Sequence, residues 1–165
     1  MLTATNTLAR YVEKINRLPL FMRPFLLTQL FCRQVKFANT TGIDILHVNF
    51  EQVQMRLRNR KRVQNHIGGI HAVAAAVLAE SCTGLLLGMH VPNTRLPLLK
   101  SMTVEFKRRM NGNLHAQANL SAAQIKQISE HEQGDVVVPV IITDDSGEQP
   151  IICQMHWAWV VKTRR

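Results

Sequence analysis

Three sets of residues in this chain have the types and spacing to do chemistry. The first is a single acid, Glu80, inside HAVAAAVLAESCTGLLLG (residues 71–88), a run otherwise made of small and apolar side chains. A carboxylate taken out of water is costly unless it is paired, hydrogen-bonded or neutral, and apolar surroundings push its pKa upward. Such a group suits a base that draws a proton from water near neutral pH, or a nucleophile toward an electrophilic carbon. It equally suits a structural glutamate bonded to a backbone group or a lysine. The second set is N-x-x-G-x-x-H, here Asn65, Gly68 and His71. Gly68 and Gly69 mark a loop, and a helix begins between Gly69 and His71. The start of a helix presents N–H groups without internal acceptors and the positive end of the dipole. Negative charge developing on an oxygen is stabilised there, and glycines let a ligand approach the backbone. Ordinary first-turn amides bound to water are the alternative. The third set is basic. Arg56, Arg58, Arg60, Lys61 and Arg62 lead into the loop, and Lys107, Arg108 and Arg109 end another strand. Guanidinium groups pair well with phosphate. Any one of these residues reads as a solvated strand face, whereas together they read as a basic rim.

Helix geometry constrains the first two sets. His71 and Glu80 are nine residues apart, which on one helix is about 13 Å and opposite faces. One copy of the chain cannot aim both at one carbonyl, so a site using both needs a second copy. His71 itself reads as a packed neutral histidine or as a residue that orients the loop. His66 and His71 do not form H-E-x-x-H, so no catalytic metal is expected.

The elements that must position these groups are read from period. Residues 1 to about 33 are helical in two pieces, with Leu8, Tyr11, Val12 and Ile15 at helical spacing and Pro19 and Pro24 as breaks. This segment is either a cap over the core or a membrane-touching element. From Gly42 the period becomes two: IDILHVNF is a strand, and EQVQMRLRNR places Val53, Met55 and Leu57 inward with arginines outward. The long apolar helix follows and stops near Met89, before Pro92. LKSMTVEFKRRM, GDVVVPVIITDD and the final segment carrying Cys153, Met155, Trp157, Trp159 and Val161 are strands. Pro139 is tolerable only at an edge or bulge. LHAQANLSAAQIKQISE has helical propensity but sits between strands. A helix that is apolar nearly all round must be wrapped, and a curved antiparallel sheet can do that.

The bulk numbers agree with one globular domain: 165 residues, 46% hydrophobic. The net charge of +9 suits an anionic partner. Aromatics are 5% and do not interleave with basic runs, so a nucleic-acid platform is poorly supported. Three widely spaced cysteines, Cys32, Cys82 and Cys153, fit a reducing compartment, and Cys82 and Cys153 read as packing residues. Arg17, Pro19, Arg23 and Pro24 cut the N-terminal apolar stretch, so a cytoplasmic location is expected. The run from Ile67 to Met89 is long enough for a membrane span, but its polar residues and glycines favour a buried helix over an integral membrane segment.

The layout, with Asn65, Gly68, His71 and Glu80 inside it, resembles the hotdog-fold thioesterase superfamily, and in particular the phenylacetate-pathway branch and small acyl-CoA thioesterases. The resemblance runs from about residue 35 to the end. It implies an α+β hotdog fold: residues 35–165 form a curved antiparallel sheet around one long helix, and residues 1–34 are an added helical cap. It implies hydrolysis of an acyl-CoA or acyl-carrier-protein thioester, with Glu80, Asn65, His71 and the Ala72 amide as catalytic residues. Asn65 holds the water or the carbonyl in that reading, or else caps a turn. Gly68, Gly69, Arg60, Arg62, Lys107 and Arg108 bind substrate. Coenzyme A belongs to the substrate, and no other cofactor is implied. Hotdog proteins pair two-fold, so the expected assembly is a homodimer, or a dimer of dimers, with Glu80 from one subunit facing the loop of the other. The branch often has two glycines after the histidine and an aspartate on the helix, where this chain has Ala72-Val73 and Glu80. A non-catalytic module that binds or senses acyl thioesters on the same fold is the alternative.

Overall fold

The computed structural model describes residues 6–163. Three helices open the chain, α1 (Thr7–Asn16), α2 (Arg23–Gln34) and α3 (Lys36–Thr41). The two helical pieces expected over residues 1–34 are α1 and α2, and the expected boundary falls just before α3; residues 1–5 lie outside the described residues. Pro19 separates α1 from α2. Pro24 does not break a helix but opens α2, because a first-turn residue has no internal acceptor to lose. The buried Asn6 caps α1 by accepting from the Ala9 N–H (2.8 Å), and its amide donates to the carbonyls of Gly88 and Val91 (2.7 and 2.6 Å).

The rest is β1 (Ile43–Val48), β2 (Gln52–Leu57), the long helix α4 (Ala72–His90), β3 (Arg95–Phe106), β4 (Leu114–Asn119), α5 (Ala122–Glu130), β5 (Gly134–Val138), β6 (Val140–Asp144) and β7 (Ile151–Val161). All pairings are antiparallel, in the orders β1-β2-β4-β6 and β3-β7-β5. Pro139 joins the two sheets: β5 pairs with β7 before it and β6 pairs with β4 after it. Proline cannot donate to a ladder, so the chain changes partner there, and the Pro139 carbonyl still accepts from the Asn119 N–H (3.2 Å). The segment LHAQANLSAAQIKQISE resolves into both readings. Leu114, Ala116 and Ala118 alternate inward on β4, and Ser121 then closes a capping box with Gln124 to start α5.

The curved sheet wraps α4 through β2, β4, β7 and β3. Val53, Met55, Leu57, Met155 and Trp159 are buried against it together with Leu78, Leu86 and Met89. α4 is long and apolar enough to cross a membrane, but most of it is buried inside the fold. Trp157 fixes how closely helix and sheet approach: its Nε1–H donates to the buried Thr83 hydroxyl (2.9 Å), and its ring lies where a Cβ on Gly84 would sit, at 2.7 Å. Cys32, Cys82 and Cys153 are free and buried. Burial pushes the Cys82 thiol up to about 12 and that of Cys153 to about 11, so neither supplies a thiolate.

The two outer strands are treated differently. β1 is covered by the N-terminal helices: the Thr28 hydroxyl accepts from the Ile45 N–H (2.8 Å) and Asn16 donates to the Val48 carbonyl (2.8 Å). β3 pairs with β7 along one side and with no other strand among the described residues. A bulge between Leu99 and Ser101 sets Met102, Val104 and Phe106 opposite Met155, Cys153 and Ile151. They therefore point to the core side, yet Met102 and Phe106 are half exposed.

The end of β6 is held by Asp144. Its buried carboxylate takes two ion-pair contacts from Arg108 (2.9 and 3.0 Å), the Ser146 hydroxyl (2.6 Å) and the Asn111 N–H (2.8 Å). Burial alone would raise its pKa, but the bonds from Arg108, Ser146 and Asn111 outweigh that and hold it well below the usual carboxylate range.

Two outcomes follow from this packing. Gly84→Ala drives a methyl into the Trp157 ring and lowers unfolding free energy by about 1–3 kcal/mol in urea titration. Asp144→Ala lowers it by about 2 kcal/mol near neutral pH, less than a wholly buried pair because Arg108 is partly solvated. A depressed folded-state pKa means this contribution is complete above about pH 4 and fades below it. The gap between wild type and Asp144→Ala therefore narrows as the pH falls through that range.

Candidate functional site

α4 leaves one stripe uncovered by the sheet. Val73 is exposed, and Ala76, Val77, Glu80, Gly84 and Gly88 are half-buried at successive turns. Glu80 is the one charge on that stripe. It lines a cavity of about 410 Å³ whose other walls include Leu8, Leu30, Phe31, Val35, Leu85 and Trp157. No basic side chain lines this cavity, and Glu80 has no ion pair among the described residues. Its nearest polar partner is the Ser81 hydroxyl, at 3.4 Å. Burial raises its pKa, and the weak bond from Ser81 opposes this only in part. The structural alternative, a glutamate tied to a lysine, does not describe this residue. It is a partly desolvated acid beside open space.

The loop from Asn65 to His71 is built by its own side chains. Asn65 Oδ1 accepts from the N–H groups of Ile67 and Gly69 (both 3.1 Å), and the Asn65 N–H donates to the Gly69 carbonyl (2.8 Å). Gly68 has φ +77°, a backbone region that side chains disfavour. Asn65 is thus an Asx-turn residue that shapes the loop, with its amide group only loosely held by the Ile70 carbonyl (3.5 Å). His71 is exposed rather than packed. It is the N-cap of α4, its Nδ1 accepting from the Val73 N–H (3.1 Å) while its carbonyl takes the Ala75 N–H. The first-turn amide of Ala72 finds no acceptor among the described residues, as expected for that position.

This loop lines a second cavity, of about 650 Å³, together with Asn59, Lys107, Arg108, Arg109 and Met110. Asn65, Gly68, Gly69, Ala72, Lys107 and Arg108 are therefore brought together, while Glu80 belongs to the other cavity. Arg60 and Arg62 do not line it, and the Arg62 guanidinium covers Gly42 instead. Lys107 is paired with Glu105 and Arg108 with Asp144. Arg109 has no acidic partner among the described residues, which makes it the cation best placed for an anionic ligand. Arg56 and Arg58 are taken up by Asp44 (3.0 and 2.9 Å). Asn59 was not singled out by any motif. Its Nδ2 donates to the Gly68 carbonyl (3.1 Å), and its Oδ1 is buried without a partner. Only the fold, which ends β2 against this loop, reveals it. No cluster of three His, Cys, Asp or Glu side chains occurs among the described residues.

Several solved structures with this architecture are described as thioesterases. A probable thioesterase from Pseudomonas aeruginosa is 25% identical, with a TM-score of 0.74 over 83% of this chain and 95% of that one. The thioesterase HI1161 from Haemophilus influenzae is 15% identical, with a TM-score of 0.68 over 84% and 91%. No curated protein matches the chain. The family model for a domain of unknown function, DUF4442, matches residues 24–160. The curved sheet, the central helix and these relatives together establish the hotdog fold, and the chain belongs to the DUF4442 family.

Proposed function

We propose that this chain hydrolyses an acyl-CoA or acyl-carrier-protein thioester at composite sites in a homodimer. The observation that carries the reading is Glu80: one partly desolvated acid, without a cation, on the open stripe of α4 and in the wall of an apolar cavity. Glu80 accepts a proton from water, and the water oxygen attacks the thioester carbonyl. The carbonyl oxygen becomes an oxyanion, held by the Ala72 N–H at the start of the second subunit's helix. Collapse breaks the carbon–sulfur bond, and the departing thiolate takes up the proton that Glu80 received. Arg109 and Lys107 at the rim attract the phosphates of the carrier. The thioesterase relatives support the reaction class.

Dimer formation is supported by three features. Glu80 and the Ala72 loop line different cavities. On its other side β3 pairs with no strand among the described residues, and a twelve-residue strand edge invites pairing with a copy of itself. Met102 and Phe106 on β3 and Val73 on α4 expose apolar surface where a second helix and strand would lie.

Steady-state hydrolysis of acyl-CoAs by wild type and Glu80→Gln tests this reading. The substitution lowers kcat by about 10²–10⁴, the range for a positioned general base, with little change in KM. The acid limb of the wild-type pH–rate profile lies above the ordinary glutamate range, since burial raises the pKa. The same shift works against stability as the pH rises through the raised pKa and the acid ionises. Glu80→Gln therefore melts higher than wild type at neutral pH. Hydrolysis unchanged by the substitution contradicts the mechanism, and saturable binding without turnover would make the chain an acyl-thioester binding module.

A further inference from the structure

We infer that the N-terminal helices form the acyl-chain pocket and fix the length of the chain that fits; this rests on the thioesterase reading above. The cavity beside Glu80 runs along α4 to Gly88, eight residues or about 12 Å. Its outer wall is Leu8 of α1 with Leu30 and Phe31 of α2, so the chain's own N-terminal segment closes what the sheet leaves open. That wall is anchored. Asn6 bonds both Gly88 and Val91 at the far end, Thr7 and Asn93 bond each other (2.9 Å), and Asn16 ties the other end of α1 to β1. Leu8 itself approaches to 3.4 Å of where a Cβ on Gly88 would sit, so it closes the end furthest from Glu80. With the carbonyl at Glu80, an aliphatic tail points at Leu8. At roughly 1.25 Å per carbon of a staggered chain with ~1.5 Å bonds, 12 Å takes about ten carbons. Each methylene buried on the way tightens binding roughly fourfold, and none is gained beyond the Leu8 wall.

The test is an acyl-CoA series from butyryl to palmitoyl with wild type, Leu8→Trp and Leu8→Ala, alongside calorimetric titration with decanoate. Wild type peaks near ten carbons. Leu8→Trp lowers the decanoyl-to-butyryl ratio of kcat/KM at least tenfold and weakens decanoate binding to match, and Leu8→Ala moves the peak to longer chains. If no thioester is hydrolysed but decanoate binds and Leu8→Trp weakens it, the pocket stands and the hydrolase reading falls. If hydrolysis occurs with one chain-length profile in all three proteins and decanoate does not bind, the pocket is overturned and the hydrolase reading stands. Should Leu8→Trp fail to fold by circular dichroism, Leu8→Ala decides by the same criteria.

A different observation carries a second inference. The turn between α1 and α2 holds Leu20 and Phe21 at 76% and 84% exposure, with Phe25 one helical turn on at 66%. Lone exposed apolar residues are ordinary, but here three large ones are mostly exposed together. The first 41 residues also hold six basic side chains and one acidic one, Glu13, more than half the net charge of +9 in a quarter of the length. Arg17, three residues before Leu20, is exposed and makes no ion pair among the described residues; Arg33 and Lys36, also exposed and without an ion pair there, stand at the far end of α2. Exposed aromatic and aliphatic side chains beside a free cation, in a segment of net positive charge, match the interface of an anionic bilayer. We propose that this turn docks the protein on an anionic lipid surface. Co-sedimentation with phosphatidylcholine vesicles, with and without one quarter phosphatidylserine, reads it directly. Wild type pellets with the anionic vesicles, less so as salt rises, and Phe21→Ser/Phe25→Ser binds at least tenfold more weakly. No pelleting at low salt, or equal pelleting by the double variant, overturns the proposal. So does self-association through this turn, seen as a larger wild-type particle that the double variant reduces, without vesicle binding.

Discussion

Glu80 sits on the one stripe of α4 that the sheet does not cover, in the wall of a cavity lined by no basic side chain among the described residues. The sheet has claimed the rest of that helix: small residues let β2 and β4 approach, and Trp157 locks the spacing at Gly84. An acid placed there is neither solvated as on a surface nor neutralised as in a core. Its raised pKa is the direct consequence.

The same helix explains why the proposed reaction calls for two copies of the chain. The amides that stabilise an oxyanion are at its start and the acid lies more than two turns later, in another cavity. The edge of β3 that pairs with no strand among the described residues, with the half-exposed Met102 and Phe106, is the side on which the proposed second copy would complete both strand and site. The two ends of the sheet are thus opposites: the β1 edge is closed by the N-terminal helices, and the β3 edge is left free. That division is what assigns the N-terminal segment to the acyl end of the proposed site and the proposed dyad to the carrier end.

Much of this was legible in the sequence. Strict alternation at Val53, Met55 and Leu57 and from Cys153 to Trp159 gave the strands, and the uninterrupted apolar run gave the wrapped helix. The loop motif and Glu80 were readable because glycines and a lone acid stand out against apolar neighbours. What could not be read depends on contacts between distant segments. Arg108 reads as a rim cation, but Asp144, 36 residues on, claims it. Arg62 reads the same way, yet it covers Gly42. Asn59 belongs to no motif, because its role comes only from the meeting of the β2 end with Gly68. Local propensity was ambiguous from Leu114 to Glu130, since that segment is a strand and then a helix, with the switch set by the Ser121 cap.

The most direct measurement of the central claim is complementation between two inactive variants. Asn65→Ala lacks the loop and Glu80→Gln lacks the acid, and each is inactive as a homodimer. When the two are unfolded together and refolded as a mixture, half of the dimers are hybrids, and each hybrid has one intact site if acid and loop come from different subunits. The account predicts that activity returns to about a quarter of the wild-type level. A mixture as inactive as its parents, with hybrid dimers demonstrably present, would place acid and loop in the same chain and contradict it.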